Sequence, residues 1–101
     1  MVIEWLSYRV PVALQARFLA LDDTIWTAAL SRHPGYIGKE TWRDAADPEA
    51  LHLIIRWDSR AAWKAVPAAL LAQVQADFDA ALGQSLPAPT CTEMAVLPAS
   101  A

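Results

Sequence analysis

A chain of 101 residues and 11.0 kDa has room for one domain, and an apolar fraction of 55% against 19% charged excludes a disordered or acidic solvating segment. Eight Lys and Arg against eleven Asp and Glu leave a net charge of −3, which excludes the basic footprint of a nucleic-acid or anionic-lipid binder. No apolar run approaches the ~18–20 residues of a membrane span, and the single cysteine, Cys91, excludes an internal disulfide and fits a reducing compartment. The N-terminus reads Met1-Val2-Ile3-Glu4-Trp5, with no basic n-region and no apolar h-region, so no export signal is expected and a cytoplasmic location is. Five tryptophans are many for this length. Each needs an apolar wall and a partner for its indole N–H, so they fill the core, line a pocket or face another subunit.

Residues Val2 to Val10 alternate, with Ile3, Trp5 and Ser7 on one side and Val2, Glu4, Leu6 and Tyr8 on the other. Both sides are largely apolar, and Pro11 closes the strand. From Val12 to Arg32 the period becomes helical: Leu14, Phe18, Leu21, Ile25 and Ala29 form a stripe, Trp26 lies beside it, and Gln15, Asp22 and Asp23 point elsewhere. Asp22-Asp23 reads as a solvated helix face. Ser31-Arg32-His33-Pro34-Gly35 ends the helix, and Tyr36 to Arg43 resumes strand character. A polar loop, Asp44 to Ala50, joins it to the most strand-like run of the chain, Leu51 to Trp57. Asp58-Ser59 signals a helix N-cap, Pro67 breaks or restarts that helix, and Leu70, Leu71, Val74, Phe78, Ala81 and Leu82 carry a second stripe ending at Gly83. Thr90 to Leu97 is expected to be the last strand, which makes residues 1–97 one domain and 98–101 a C-terminal tail.

The order strand, helix, strand, strand, helix, strand predicts an α+β, ferredoxin-like βαββαβ fold: a four-stranded antiparallel sheet with helices on one face. Its other face is expected to carry Leu6, Tyr8, Ile54 and Trp42, too much apolar surface for water, so a homodimer with sheets face to face is expected.

Three stretches, Met1-Val2-Ile3-Glu4-Trp5, His33-Pro34-Gly35-Tyr36-Ile37-Gly38 and Ile54-Ile55-Arg56-Trp57-Asp58-Ser59, resemble the antibiotic biosynthesis monooxygenase superfamily, over roughly Val2 to Val96. The resemblance implies a dimeric α/β barrel. Its members include cofactor-free oxygenases of polyketide quinols, quinol oxygenases and heme-degrading enzymes, and others whose activity is unknown. The heme-degrading branch uses an asparagine on the first strand, a tryptophan ending the third strand and a histidine on the second helix. Trp57 matches the tryptophan and Ser7 falls near the asparagine position, but no histidine lies between Ser59 and Gly83. Heme then lacks an axial ligand, and no cofactor is expected.

Two constellations are candidates for a site. Trp57 and Trp63, with Trp26 beside them and Trp5 as a further member, either wall a cleft between sheet and helices, where a small aromatic ligand stacks and Ser7 orients one of its oxygens, or simply fill the core. Glu4, Glu40 and Arg56 form the second. The first and third strands are antiparallel neighbours, so Glu4 and Arg56 are expected to meet in the barrel interior, and Glu40 joins that face if Arg43 pairs with Leu51. The group is either acid–base machinery or a buried ion pair fixing dimer register, the latter costing ~3–5 kcal/mol to break. His33 sits at a helix C-terminus and His52 in mid-strand, so no metal site is expected. No G-x-G-x-x-G or G-x-S-x-G pattern is present. The reading is therefore a small-molecule binder and cofactor-independent monooxygenase of an electron-rich aromatic, the alternative being a non-catalytic ligand-binding or interaction module on the same dimeric barrel.

Overall fold

The computed structural model describes residues 1–99. Strand β1 (Val2–Arg9) gives way at Pro11 to helix α1 (Val12–Leu21), whose first turn is closed by the Leu14 N–H donating to the Pro11 carbonyl at 2.9 Å. The helix then widens into a six-residue π-helical segment, Asp22–Thr27, and ends as α2 (Ala28–Leu30). Strands β2 (Tyr36–Arg43) and β3 (Ala50–Trp57) follow, then α3 (Arg60–Lys64), α4 (Ala68–Leu82) and β4 (Thr90–Ala95). Ser59 caps α3 as its sequence predicts, its hydroxyl accepting the Ala62 N–H at 3.1 Å. Gly83 ends α4 in the left-handed conformation at φ 85°.

The sheet order is β2-β3-β1-β4 with every neighbouring pair antiparallel, the ferredoxin-like arrangement with helices on one face. The sheet is open at both edges. Strand β4 stops at Ala95, two residues short of the predicted end; Val96 still donates to the Met1 carbonyl at 3.0 Å, while Leu97 is 80% exposed. Of the predicted tail, Pro98 and Ala99 have no regular structure, and 100–101 lie outside the described residues.

One assignment of faces changes. Leu6 and Tyr8 lie under the helices, not on the open face: Tyr8 pairs with Leu51, Leu6 with Leu53 and Glu4 with Ile55, and these β3 partners are the buried floor of the core. Cross-strand partners share a face, so β3 decides which set of β1 points inward. The core has two parts along this floor. One holds Val10, Phe18, Leu51, Leu53, Phe78 and Leu82, with Phe18 edge-on to Phe78 at 5.3 Å and to Tyr8 at 5.2 Å. The other holds Leu30, Ile55, Trp57, Trp63 and Val66.

Two polar side chains expected to point away from the stripe of α1 are buried instead. Gln15 is 4% exposed and fully engaged: its amide donates to the carbonyls of Val10 (3.0 Å) and Pro48 (2.6 Å), and its oxygen accepts from Arg43. It ties the start of α1 to the β2–β3 loop, and satisfaction of every donor makes the burial tolerable. Asp22, expected on a solvated face, is 5% exposed and ion-paired, while Asp23 stays exposed.

The turn into β2 depends on Gly35, at φ 89°, whose carbonyl accepts the Asp58 N–H at 2.8 Å. A Cβ there would press on the Ala62 side chain and stand 2.6 Å from Asp58 Oδ1. Left-handed backbone alone costs a residue with a side chain ~1–2 kcal/mol, and the contact adds to it. Gly35→Ala is therefore expected to lower the melting temperature by roughly 8 °C or more, read by circular dichroism; a shift within 2 °C or so would contradict a rigid turn.

Candidate functional site

Between the sheet and the helices lies a largely apolar cleft of about 210 Å³. Its floor is built by alternation: Glu4, Leu6 and Tyr8 of β1 and Leu53, Ile55 and Trp57 of β3 all point up from the sheet. The π-helical segment supplies Asp22 and Trp26, α3 supplies Trp63, and α4 closes the far side with Leu71 and Gln75. Trp26, Trp57 and Trp63 thus come together around one space, and Trp57 and Trp63 are at the same time members of the buried core. The two alternatives for these residues are not exclusive: Trp26 is half-buried, whereas Trp63 is 8% and Trp57 0% exposed, so Trp57 backs the wall from within the core.

Ser7 is not part of it. It faces the open side of the sheet, where its hydroxyl lies 3.0 Å from His52 Nδ1, the same nitrogen that accepts the Trp5 indole N–H at 3.2 Å. Trp5 stacks edge-on with Trp42 at 5.2 Å on that face and likewise does not join the cleft. The physical reason is the period of two: Ser7 and Tyr8 are neighbours in sequence and necessarily on opposite faces.

The expected Glu4–Arg56 pair does not form either. Glu4 points into the cleft, its Oε1 accepting the Trp57 indole N–H at 3.2 Å, while Arg56 pairs with Glu40 on the open face. Glu40 does share that face with Arg56, with Arg43 opposite Leu51, and also accepts the Trp42 indole N–H at 3.1 Å. Glu4 is directly opposite Ile55, one residue from Arg56 and therefore on the other side of the sheet. In this chain the Arg56–Glu40 pair is part-exposed, a kind worth roughly 0–1 kcal/mol, not the several expected of a buried one.

The buried pair is elsewhere. Lys39 Nζ meets Asp22 Oδ2 at 2.5 Å and donates to Thr27 Oγ1 at 3.2 Å, with both charged side chains at most 7% exposed. Reasoning from the sequence missed it, although the hairpin count that sets Glu40 opposite Ile54 also sets Lys39 opposite Ile55 and under the helices. The π-helical segment that brings Asp22 and Trp26 to the sheet side had no signal in the hydrophobic period. Thr24 marks it locally, its hydroxyl taking the Ala20 carbonyl at 3.1 Å, and π segments are frequent at functional sites.

Burial dominates the electrostatics of the cleft. It pushes the carboxyl of Glu4 above its ordinary value, with the Trp57 N–H and the charges of Lys39 and Lys64 offsetting part of the rise. Burial likewise raises Asp22 against the pull of Lys39, and raises the Tyr8 phenol. On the surface the direction reverses: hydrogen bonds from Trp42 and Arg56 hold Glu40 low, Arg9 holds Asp47 low, and Arg60 with Lys64 holds Glu93 low. A carboxyl raised by folding binds its proton more tightly in the folded chain. Glu4 and Asp22 therefore add stability as pH falls through the window between the ordinary carboxylate value and their raised ones. The lowered groups contribute above the ordinary value, and that contribution is lost as pH falls through theirs. The urea midpoint is expected to pass through a maximum on the mildly acid side of neutrality, and Glu4→Gln should flatten the rise. A midpoint that only falls on acidification would contradict this.

Among the described residues no cluster of three or more His, Cys, Asp and Glu could hold a metal ion. Neither histidine reaches the cleft: His52 is on the open face, and His33 lies in the turn, its backbone N–H on the Leu30 carbonyl at 3.0 Å.

The sequence profile of the antibiotic biosynthesis monooxygenases matches residues 1–66, which hold β1, the first helical stretch, β2, β3 and α3 and most of the cleft. The chain belongs to the antibiotic biosynthesis monooxygenase family. Solved structures carry the likeness across the whole chain. The cofactor-independent oxygenase SnoaB of Streptomyces nogalater is 16% identical, with 97% of this chain and 94% of that one covered at a TM-score of 0.69. The monooxygenase from ActVA-Orf6 of Streptomyces coelicolor, in complex with nanaomycin D, is 20% identical, with 97% and 92% covered at 0.66. The heme-degrader MhuD of Mycobacterium tuberculosis, with two hemes in its active site, is 18% identical, with 100% of both chains covered at 0.68. At these identities the likeness is one of fold. No protein of curated function matches the sequence significantly. The side chains that α3 and α4 present to the cleft, Trp63, Leu71 and Gln75, include no axial ligand for iron.

Proposed function

We propose that the cleft binds a small flat aromatic molecule and that the protein is a cofactor-independent monooxygenase acting on it, working as a homodimer. The observation that carries this is the meeting of Trp26, Trp57 and Trp63 around one apolar space. A dry cavity of ~150 Å³ already takes benzene, so about 210 Å³ suits one substituted ring or two fused ones. The family and the structural likeness to a cofactor-independent oxygenase support the chemistry. In it a quinol anion supplies the electrons. A ring carbon bonds to dioxygen as a hydroperoxide, the O–O bond breaks with loss of water, and a hydroxyquinone remains, one oxygen atom in the product and one in water. The protein's share is to hold the ring, exclude water and fix its orientation. With 1,4-naphthohydroquinone and no added metal or cofactor, oxygen uptake should exceed the protein-free rate, and labelled dioxygen should place one atom in the product. Tryptophan quenching that saturates with no extra uptake would overturn catalysis in favour of a binding module.

The dimer reading rests on the open face. Trp5, Trp42 and Met94 lie there, with Trp42 40% and Met94 44% exposed and no helix over them, while Ile54 on the same face is already 0% exposed within the chain. A second copy would cover this surface face to face. Light scattering at micromolar concentration should give about twice the 11.0 kDa chain mass, and Trp42→Glu should halve it. A clean monomer for the parent would overturn this reading.

A further inference from the structure

The polar groups at the edge of the cleft are not equivalent. Lys39 is committed to Asp22 and Thr27. The Tyr8 hydroxyl and the Gln75 amide line the space, but each can donate or accept and so distinguishes little. Glu4 differs. Its carboxylate has one hydrogen bond among the described residues, the Trp57 indole N–H on Oε1, and no ion pair. Its second oxygen is left to the cleft it lines, among Leu6, Ile55 and Trp57. An ionised carboxylate only accepts, so it wants a donor there.

We infer that Glu4 sets which aromatic the cleft takes: a hydroxylated ring whose O–H donates to the free carboxylate oxygen, in preference to a quinone or an ether of the same shape. This rests on the aromatic-binding reading above and deepens it. Sites that hydrogen-bond a substrate O–H reject the analogue lacking it, because the buried acceptor is then left unpaired. For the proposed reaction the consequence is directional. A quinol enters as a donor, and the hydroxyls that become quinone carbonyls no longer satisfy Glu4, which favours release.

The test uses two probes of one shape, 2-naphthol and 2-methoxynaphthalene, with binding to the intact protein read by quenching of tryptophan fluorescence. The parent should bind the naphthol about 10- to 100-fold more tightly, the range of a hydrogen bond to a charged group. Glu4→Gln keeps an oxygen for the Trp57 N–H and turns an N–H toward the cleft, so the preference should vanish or reverse; Glu4→Asp should fall between. Melting curves check that each variant is folded, and if Glu4→Gln is not, the Glu4→Asp ratio decides. A naphthol preference lost on changing Glu4 supports the inference. Equal affinities in the parent, or a preference unchanged in the folded variants, would overturn it while leaving the aromatic cleft standing. Failure of both probes to bind the parent would overturn the cleft reading, and this inference with it.

Discussion

Lys39→Met should lower the unfolding free energy by about 3–5 kcal/mol, the usual cost of removing one partner from a buried ion pair. That is a large share of the ~5–15 kcal/mol available to a domain. The mechanism is specific: the substitution strands the Asp22 carboxylate, 5% exposed, between the π-helical segment and β2. Burial already holds that carboxyl above its ordinary value, and without the ammonium it rises further. The variant should therefore regain stability on acidification as Asp22 takes up its proton. Asp22→Asn in the Lys39→Met background should restore much of the loss at neutral pH, because no charge is then left unpaired. Urea unfolding of the parent, the single variant and the double variant at neutral and mildly acid pH measures all three. A single variant within about 1 kcal/mol of the parent, or a double variant less stable than the single, would show that the pair does not hold the helix to the sheet.

The second large effect is expected at Trp57, which is 0% exposed, packs edge-on to Tyr36 at 5.7 Å and bonds Glu4 through its indole N–H. Trp57→Ala should cost about 3–5 kcal/mol from lost burial and the cavity left behind. It also removes the only hydrogen bond that the Glu4 carboxylate accepts among the described residues. Trp57→Phe separates the contributions: a ring still fills the core, but the N–H is gone. That variant should lose less than half as much stability and bind the aromatic probes with affinity altered through Glu4. Chemical denaturation gives the energies, and probe titration gives the binding. A Trp57→Phe protein as destabilised as Trp57→Ala would mean that the N–H to Glu4, not packing, carries the contribution of Trp57.

The elements were legible in the sequence because their signals are local. The alternation of Val2 to Val10, the Pro-Gly punctuation before Tyr36, the Ser59 cap and the Gly83 stop each depend on neighbours within a turn or a strand, and each stands where it was read. The meeting of Trp57 and Trp63 follows from the strand–helix junction. Trp26, however, reaches the same space through a π-helical segment that leaves no mark in the hydrophobic period, and Trp5, grouped with them from the sequence, faces the other side of the sheet. The direction of β1 was not legible. Both of its faces are apolar, so alternation sorts Ser7 from Tyr8 without saying which is inward; the buried floor of β3 decides that, and it moves Ser7 out of the site and Glu4 into it. Nor does a helical period reveal that Asp22 and Gln15 are buried, because their burial is tolerable only with partners distant in sequence, Lys39 for one and Arg43, Val10 and Pro48 for the other. Sequence by itself determined which segments are strands and helices and in what order. The tertiary structure decided which polar groups face the cavity, because a buried charge or amide is placed by its partners across the fold and not by its neighbours along the chain.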